Sequence, residues 1–265
     1  MNKKELKTKL SKAKEYRKYA RYAEAMAVLH RIVAEYPEAQ YYYLLAATYL
    51  EVGEDDIALQ YLNEALDRDS NSKEAYELKG KIYENRKDYE QAEQMYLMAL
   101  KIDPDFIEVR DSLVDLYWHK IKNYEKTIEQ CEFVFKRHNS YTFLKEEMKE
   151  KDRWFSRFYN PAKCSYLQLQ RYDDAIKLMN RYKYVMKNYL PGDEDYMLSD
   201  EDQILYKLYY LKGDEINQKE LTIKFKEYYR MSDKFLRSME KDAEEGCIDH
   251  FNWENYEINT NGTFM

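Results

Sequence analysis

The residues able to do chemistry are few and scattered. The four histidines, His30, His119, His138 and His250, form no closely spaced pair of the kind that binds zinc on one helix face, and they read as polar residues at surfaces and helix ends. The three cysteines, Cys131, Cys164 and Cys247, are odd in number and lie far apart, so they form neither a disulfide framework nor a zinc set. They read as reduced thiols, Cys131 and Cys164 in the core and Cys247 in the tail. The segment DRDSNS at 67–72 begins like a calcium loop, but Ser72 stands where glycine is required and Leu78 where the closing bidentate glutamate belongs. It reads as a turn. Asp193, Glu194, Asp195, Asp200, Glu201 and Asp202 could together gather a cation, yet stretches this acidic are as a rule simply solvated. No G-x-x-x-x-G-K or G-x-G-x-x-G run offers a phosphate cradle. Asn261-Gly262-Thr263 matches a glycosylation acceptor but reads as accidental in a chain with no secretory signal. No catalytic group, metal or cofactor is expected, and the chain does not read as an enzyme.

The elements that must position these residues are helices. The 265 residues include only 6 Gly and 4 Pro, so few turns are written into the chain. Charged residues make up 35% and hydrophobic ones 45%, with 29 Tyr, a balance suited to amphipathic helices that bury aromatic faces. A net charge of -7 argues against general nucleic-acid binding, which depends on Lys and Arg neutralising phosphates. The basic start MNKKELKTKL leads into no apolar signal-peptide run, and no run of about 18 apolar residues could span a bilayer. A cytoplasmic location without membrane contact is expected.

One period organises the chain. Tyr42, Tyr49, Ala58, Leu62, Ala65 and Leu66 recur 34 residues later as Tyr76, Tyr83, Ala92, Tyr96, Ala99 and Leu100. Each unit reads as two amphipathic helices, with Ala46, Gly80, Ala58 and Ala92 marking where backbones approach most closely. Tyr49 and Tyr83 supply the bulk beside them. Gly53 and Glu54 close one first helix, while Asp103 and Pro104 close a second helix.

The segment AYELKGKIYENRKDYEQAEQMYLMALKIDP at 75–104 resembles the tetratricopeptide-repeat (TPR) family, carrying its pattern as Tyr76, Gly80, Tyr83, Ala92, Tyr96, Ala99 and Pro104. Residues 39–72 match nearly as well, with Ser70 in place of the Pro, and residues 6–38 match through Ala13, Tyr16, Tyr22, Ala25, Leu29 and Pro37. Beyond 106, Leu113, Tyr117 and Tyr124 keep the pattern, but Thr127 and Val134 replace Ala and the turn gains one residue. The resemblance implies an all-α fold, a right-handed superhelical solenoid of helix pairs with a C-terminal capping helix.

Four repeats are expected over 1–140. Divergent helices with a fifth pair follow over 141–190, where Tyr166, Tyr172, Ala175, Met179 and Tyr182 stay in step. There Asn160 and Pro161 are expected to cap a shortened helix, preceded by a separate charged helix over about 142–158. An acidic loop over 191–199 leads to a helix start with Ser199 as N-cap. A divergent pair and capping helix span 200–245, with Ile204, Leu205, Leu208 and Tyr209, then Leu221, Phe225, Tyr228 and Tyr229, then Phe235, Leu236, Met239 and Ala243 as the apolar stripes. The acidic, aromatic tail, 246–265, has no helical period. Its Phe251, Trp253, Tyr256 and Phe264 suggest that it folds back on a helical groove of its own chain or a second copy.

The family resemblance implies a concave face lined by the first helix of each repeat. Residues sharing that face are Lys7, Lys14, Arg17 and Lys18, then Tyr43, Leu44, Ala47 and Leu50, then Glu74, Glu77, Lys81 and Glu84, then Asp111, Asp115 and Trp118. The expected partner is a protein or peptide segment with an apolar anchor and with basic residues towards repeats three and four. The Lys and Asn clamp by which some family members hold acidic chaperone tails is missing, since Leu10, Lys14, Leu44, Glu74 and Leu78 occupy its places. The expected function is a non-enzymatic adaptor or scaffold. The alternative is a dedicated inhibitor or immunity-type protein acting through its acidic surface. The chain is expected to be a monomer or weak homodimer.

Overall fold

A computed structural model describes residues 3–137, 154–189, 194–227 and 230–249. Among the described residues there are thirteen α-helices, one π-helical segment and no strand. The chain divides into two compact units, Met1–Lys122 and Asn123–Met265.

The first unit holds α1 (Lys3–Lys18), α2 (Tyr22–Glu35), α3 (Ala39–Glu51), α4 (Asp55–Arg68), α5 (Lys73–Asn85), α6 (Tyr89–Ile102) and α7 (Ile107–Asp115), which runs on into the π segment Leu116–Ile121. Each helix packs on the next in sequence, the nearest-neighbour pattern of a solenoid. The small residues sit at the crossings: Ala13, Ala25, Ala46, Ala58, Ala65, Ala92 and Ala99 are all buried. At Gly80 the neighbour is Tyr96 of α6, whose ring would lie 2.5 Å from an added Cβ. Tyr96, more than Tyr83, therefore supplies the bulk at that crossing. Tyr49 instead stacks on Tyr61, with ring centroids 5.5 Å apart.

One turn recurs wherever a first helix ends. Ala20, Gly53 and Lys87 take left-handed φ angles of 54°, 80° and 62°. The next residue's N–H donates to the carbonyl of a tyrosine five residues back: Arg21 to Tyr16, Glu54 to Tyr49 and Asp88 to Tyr83. That residue also opens the second helix, and Asp88 accepts the N–H of Gln91 as its cap. In the fourth repeat the extra residue is absorbed as the π segment. The left-handed position moves one residue on, to Lys122, whose N–H reaches Tyr117.

The second unit holds α8 (Tyr124–Arg137), α9 (Trp154–Gln168), α10 (Tyr172–Tyr189), α11 (Glu194–Lys212), α12 (Glu215–Glu227) and α13 (Asp233–Glu244). The same turn marks the ends of α9 and α11, where Gln170 and Gly213 are left-handed and Arg171 and Asp214 donate to Tyr166 and Tyr209. Phe235, Leu236, Met239 and Ala243 are buried along α13, and Ser232 caps its start.

Two expectations are corrected here. Pro161 does not shorten a helix: α9 runs through it from Trp154 to Gln168. Burial of Phe158, Tyr159 and Ala162 on both sides of the proline outweighs the lost backbone bond. The acidic stretch is likewise not a loop as far as Ser199, because α11 begins at Glu194. Residues 142–153 of the expected charged helix, Tyr228 and Tyr229 of the expected apolar stripe and residues 250–265 of the tail lie outside the described residues.

Candidate functional site

Counting from the turn tyrosine puts the sequence-derived face of the first unit on a regular lattice. Six residues before it stand Leu10, Tyr43, Glu77 and Asp111; two before it, Lys14, Ala47, Lys81 and Asp115; one after it, Arg17, Leu50, Glu84 and Trp118. Leu44 and Leu78 occupy the register five before it. In the first three repeats the turn recurs because a left-handed residue stops each first helix and the next residue's N–H returns to the tyrosine carbonyl. The same recurrence returns these side chains to one face every repeat.

Burial raises the Tyr43 phenol pKa, with further increases from Glu77 and Glu74 of α5 and an opposing effect from Arg17 of α1. One side chain of α3 thus senses both neighbouring first helices. Arg17 Nη2 lies 4.0 Å from Glu51, while its buried Nε–H has no hydrogen-bond acceptor among the described residues. Lys81 Nζ pairs with Glu77 Oε1 at 2.5 Å. Trp118, half-buried in the π segment, lies tilted against His119 with ring centroids 4.3 Å apart and planes at 39°, and His119 Nε2 lies 3.7 Å from Asp115.

The residues expected on this face are not equivalent. Tyr43, Leu44 and Leu50 are partly buried, Leu44 against the α1–α3 core and Tyr43 and Leu50 against the α3–α5 core. Lys81 and Asp115 are exposed, and Asp111 and Trp118 are intermediate. Glu84 is already engaged, because its Oε2 accepts the Tyr96 hydroxyl at 2.8 Å. That carboxylate, after burial, helps hold the Tyr96 phenol far above its ordinary pKa.

Two of the acids considered for a cation, Glu201 and Asp202, have another use. Glu201 accepts Lys163 Nζ at 2.7 Å and the Tyr159 hydroxyl at 2.5 Å. Asp202, fully buried, pairs with Lys183 and with Lys224. Among the described residues no group of three His, Cys, Asp or Glu side chains could hold a metal. These acids belong to a network that sequence reasoning missed. Glu201 to Tyr209 of α11 are all buried, including Lys207, which donates to Asp242 at 3.0 Å and to the Cys247 carbonyl at 2.8 Å. Tyr206 donates to Glu240 and its pKa is pushed up to about 12, chiefly by burial. The available signal was charge of both signs within one otherwise apolar helix. A cavity of about 360 Å³ opens beside the network, lined in part by Tyr159, Tyr182, Glu201 and Ile248.

Antiparallel helix pairs packed neighbour on neighbour, with one register of side chains returned to a common face, define a helical-repeat protein. The fold is that of the tetratricopeptide-repeat solenoids. The family model of the tetratricopeptide repeat protein 21 C-terminal ARM domain matches residues 39–153. Among solved structures, MamA is similar at 18% identity and a TM-score of 0.52, over 66% of this chain and 94% of that one. Naa15, in its complex with Naa10 and bound to HypK-THB, is similar at 13% identity and a TM-score of 0.66, over 92% of this chain but only 34% of its own. PilF of Pseudomonas aeruginosa is similar at 16% identity and a TM-score of 0.51, over 90% of this chain and 97% of that one. No match is found among curated protein sequences. No described helix is long and apolar enough to cross a membrane.

Proposed function

We propose that this chain is a cytoplasmic, non-enzymatic adaptor or scaffold that holds a protein or peptide segment against the common face of α1, α3, α5 and α7. The observation that carries this reading is Tyr43 of α3, an aromatic side chain partly buried against the α3–α5 core whose phenol feels the acids of α5 and, in the opposite direction, Arg17 of α1. An extended segment laid across the helices meets basic side chains first, then Tyr43, Leu44 and Leu50, then Glu77 with Lys81, and finally Asp111, Asp115 and Trp118. Aromatic side chains in such a position bury much area at small entropic cost and dominate binding energy. The complementary segment has an apolar side chain at its centre and basic residues beside α5 and α7. The HypK-THB complex of the similar Naa15 structure supports protein recognition on this fold.

The test is affinity capture of partners from cell extract by the intact chain and by Tyr43→Ala together with Trp118→Ala. The expected result is loss of the captured protein with the circular dichroism melt retained. Capture that survives this pair and is lost with Leu97→Ala and Met98→Ala, exposed on α6, would move the site to the outer face. Capture that survives the aromatic pair but is lost with Glu74→Lys and Asp115→Lys would favour an inhibitor acting through its acids.

A further inference from the structure

The end of α13 is turned back onto α11. Gly246 takes a left-handed φ of 81°, and the Cys247 N–H donates to the Asp242 carbonyl at 2.7 Å, the geometry that closes a helix and redirects the chain after it. Lys207 of α11 holds both sides of this turn, donating to the Asp242 carboxylate at 3.0 Å and to the Cys247 carbonyl at 2.8 Å. Ile248 follows and is buried. Ile248 and Asp249 then form part of the wall of the cavity of about 360 Å³ beside α11. The described chain reaches its last residue, Asp249, at that wall, and residues 250–265 continue from there.

The cavity suits one kind of side chain. Tyr159 and Tyr182 give it an aromatic side, their rings stacked with centroids 3.9 Å apart, and Ile204 and Ile248 give it an aliphatic one. Asp200 and Glu201 place carboxylates on the same wall, and a carboxylate can accept more hydrogen bonds than the two Glu201 takes from Lys163 and Tyr159. Its volume falls in the range of about 300–1,000 Å³ typical of pockets that enclose an organic group. A flat apolar ring with a single N–H donor answers all of these features, which is the chemistry of an indole. A phenyl ring would leave the acceptors without a donor.

The tail carries that group within reach. Trp253 lies four residues beyond Asp249, up to about 13 Å along an extended run. In such a run it also shares the side of Asp249. We propose that this cavity is the seat of the chain's own tail, with Trp253 as its occupant. The indole packs against Tyr159, Tyr182, Ile204 and Ile248 and donates its N–H to the carboxylates of Asp200 and Glu201. The tail is thereby a further element of the second unit, anchored at its root by Lys207. It uses none of the residues of the α1–α7 face and stands independently of the adaptor reading.

Tryptophan fluorescence of the full-length chain tests this. Trp118→Phe with Trp154→Phe leaves Trp253 as the remaining indole. Its emission should be blue-shifted, and acrylamide should quench it several-fold less than in the same chain unfolded in urea. Emission of a solvated indole, quenched as strongly folded as unfolded, would overturn the proposal. An indole buried elsewhere would give the same signal, so a double-mutant cycle locates it. Trp253→Ala and Ile204→Ala should each lower the urea midpoint. Together they should lower it by less than the sum of the separate shifts, because they remove opposite sides of one contact. Asp200→Lys, at an exposed position, runs the same cycle where Ile204→Ala fails to fold. Strictly additive shifts, or a midpoint indifferent to Trp253→Ala, would remove Trp253 from the cavity and overturn the proposal.

Discussion

At the scale of single residues, the tightest constraint is Gly80. Tyr96 is fully buried and its hydroxyl is fixed to Glu84, so the ring that an added Cβ would strike at 2.5 Å has no easy retreat. Gly80→Ala should therefore destabilise the protein by about 1–3 kcal/mol, the usual cost of overpacking a close crossing. Thermal melts of Gly80→Ala and of Gly80→Ala with Tyr96→Leu check the cause, because the smaller partner should recover part of the loss. The glycine and the aromatic were each legible as repeat positions. That they meet each other was not, because it depends on the angle at which α5 crosses α6.

At the scale of elements, the turn between paired helices shows how much sequence freedom one backbone geometry allows. The left-handed position is glycine at Gly53 and Gly213 but Ala20, Lys87, Lys122 and Gln170 elsewhere. A side chain in this region costs about 1–2 kcal/mol, offset in part because glycine gives the unfolded chain more freedom. Lys87→Gly should accordingly raise stability by up to about 1 kcal/mol. Gly53→Ala, with no atom near its added Cβ, should cost about 1 kcal/mol through backbone strain alone. Paired chemical denaturation curves would show the two shifts in opposite directions. The left-handed lysines carried no sequence signal, since lysine has no preference for that conformation. The recurring tyrosine before the turn, by contrast, was readable at Tyr49, Tyr83 and Tyr117 from spacing.

At the scale of the molecule, each unit is held differently. The first unit has the expected core of small residues and aromatics. The second is built around α11, whose charged side chains reach separate neighbours: Glu201 to α9, Asp202 to α10 and α12, and Lys207 to α13. Burial lowers the Lys207 pKa although Asp242 opposes the shift. Removing one member of a buried pair leaves a charge without its counter-ion, so Lys207→Met should cost about 3–5 kcal/mol. Lys207→Met with Asp242→Ala should cost less than the single change, because no buried charge is left. Urea denaturation of the two variants decides this, and a double variant weaker than the single one would contradict the account.

The sequence by itself determined the repeat: the period, the helix pairs, the alanines at the crossings and the face returned at every unit. All of these follow from spacing along a helix whose geometry is constant. It also carried the departure in the fourth repeat, as one surplus residue after Tyr117. Only the tertiary structure decided that this residue is taken up as a π turn beneath Trp118, that Pro161 lies inside α9, and that Glu201 and Asp202 serve lysines on other helices. The physical reason is the same in each case. Propensity and charge along the chain are weak, local terms, and burial against residues distant in sequence outweighs them. Those distant partners depart from the 34-residue period, so nothing in the spacing announces them.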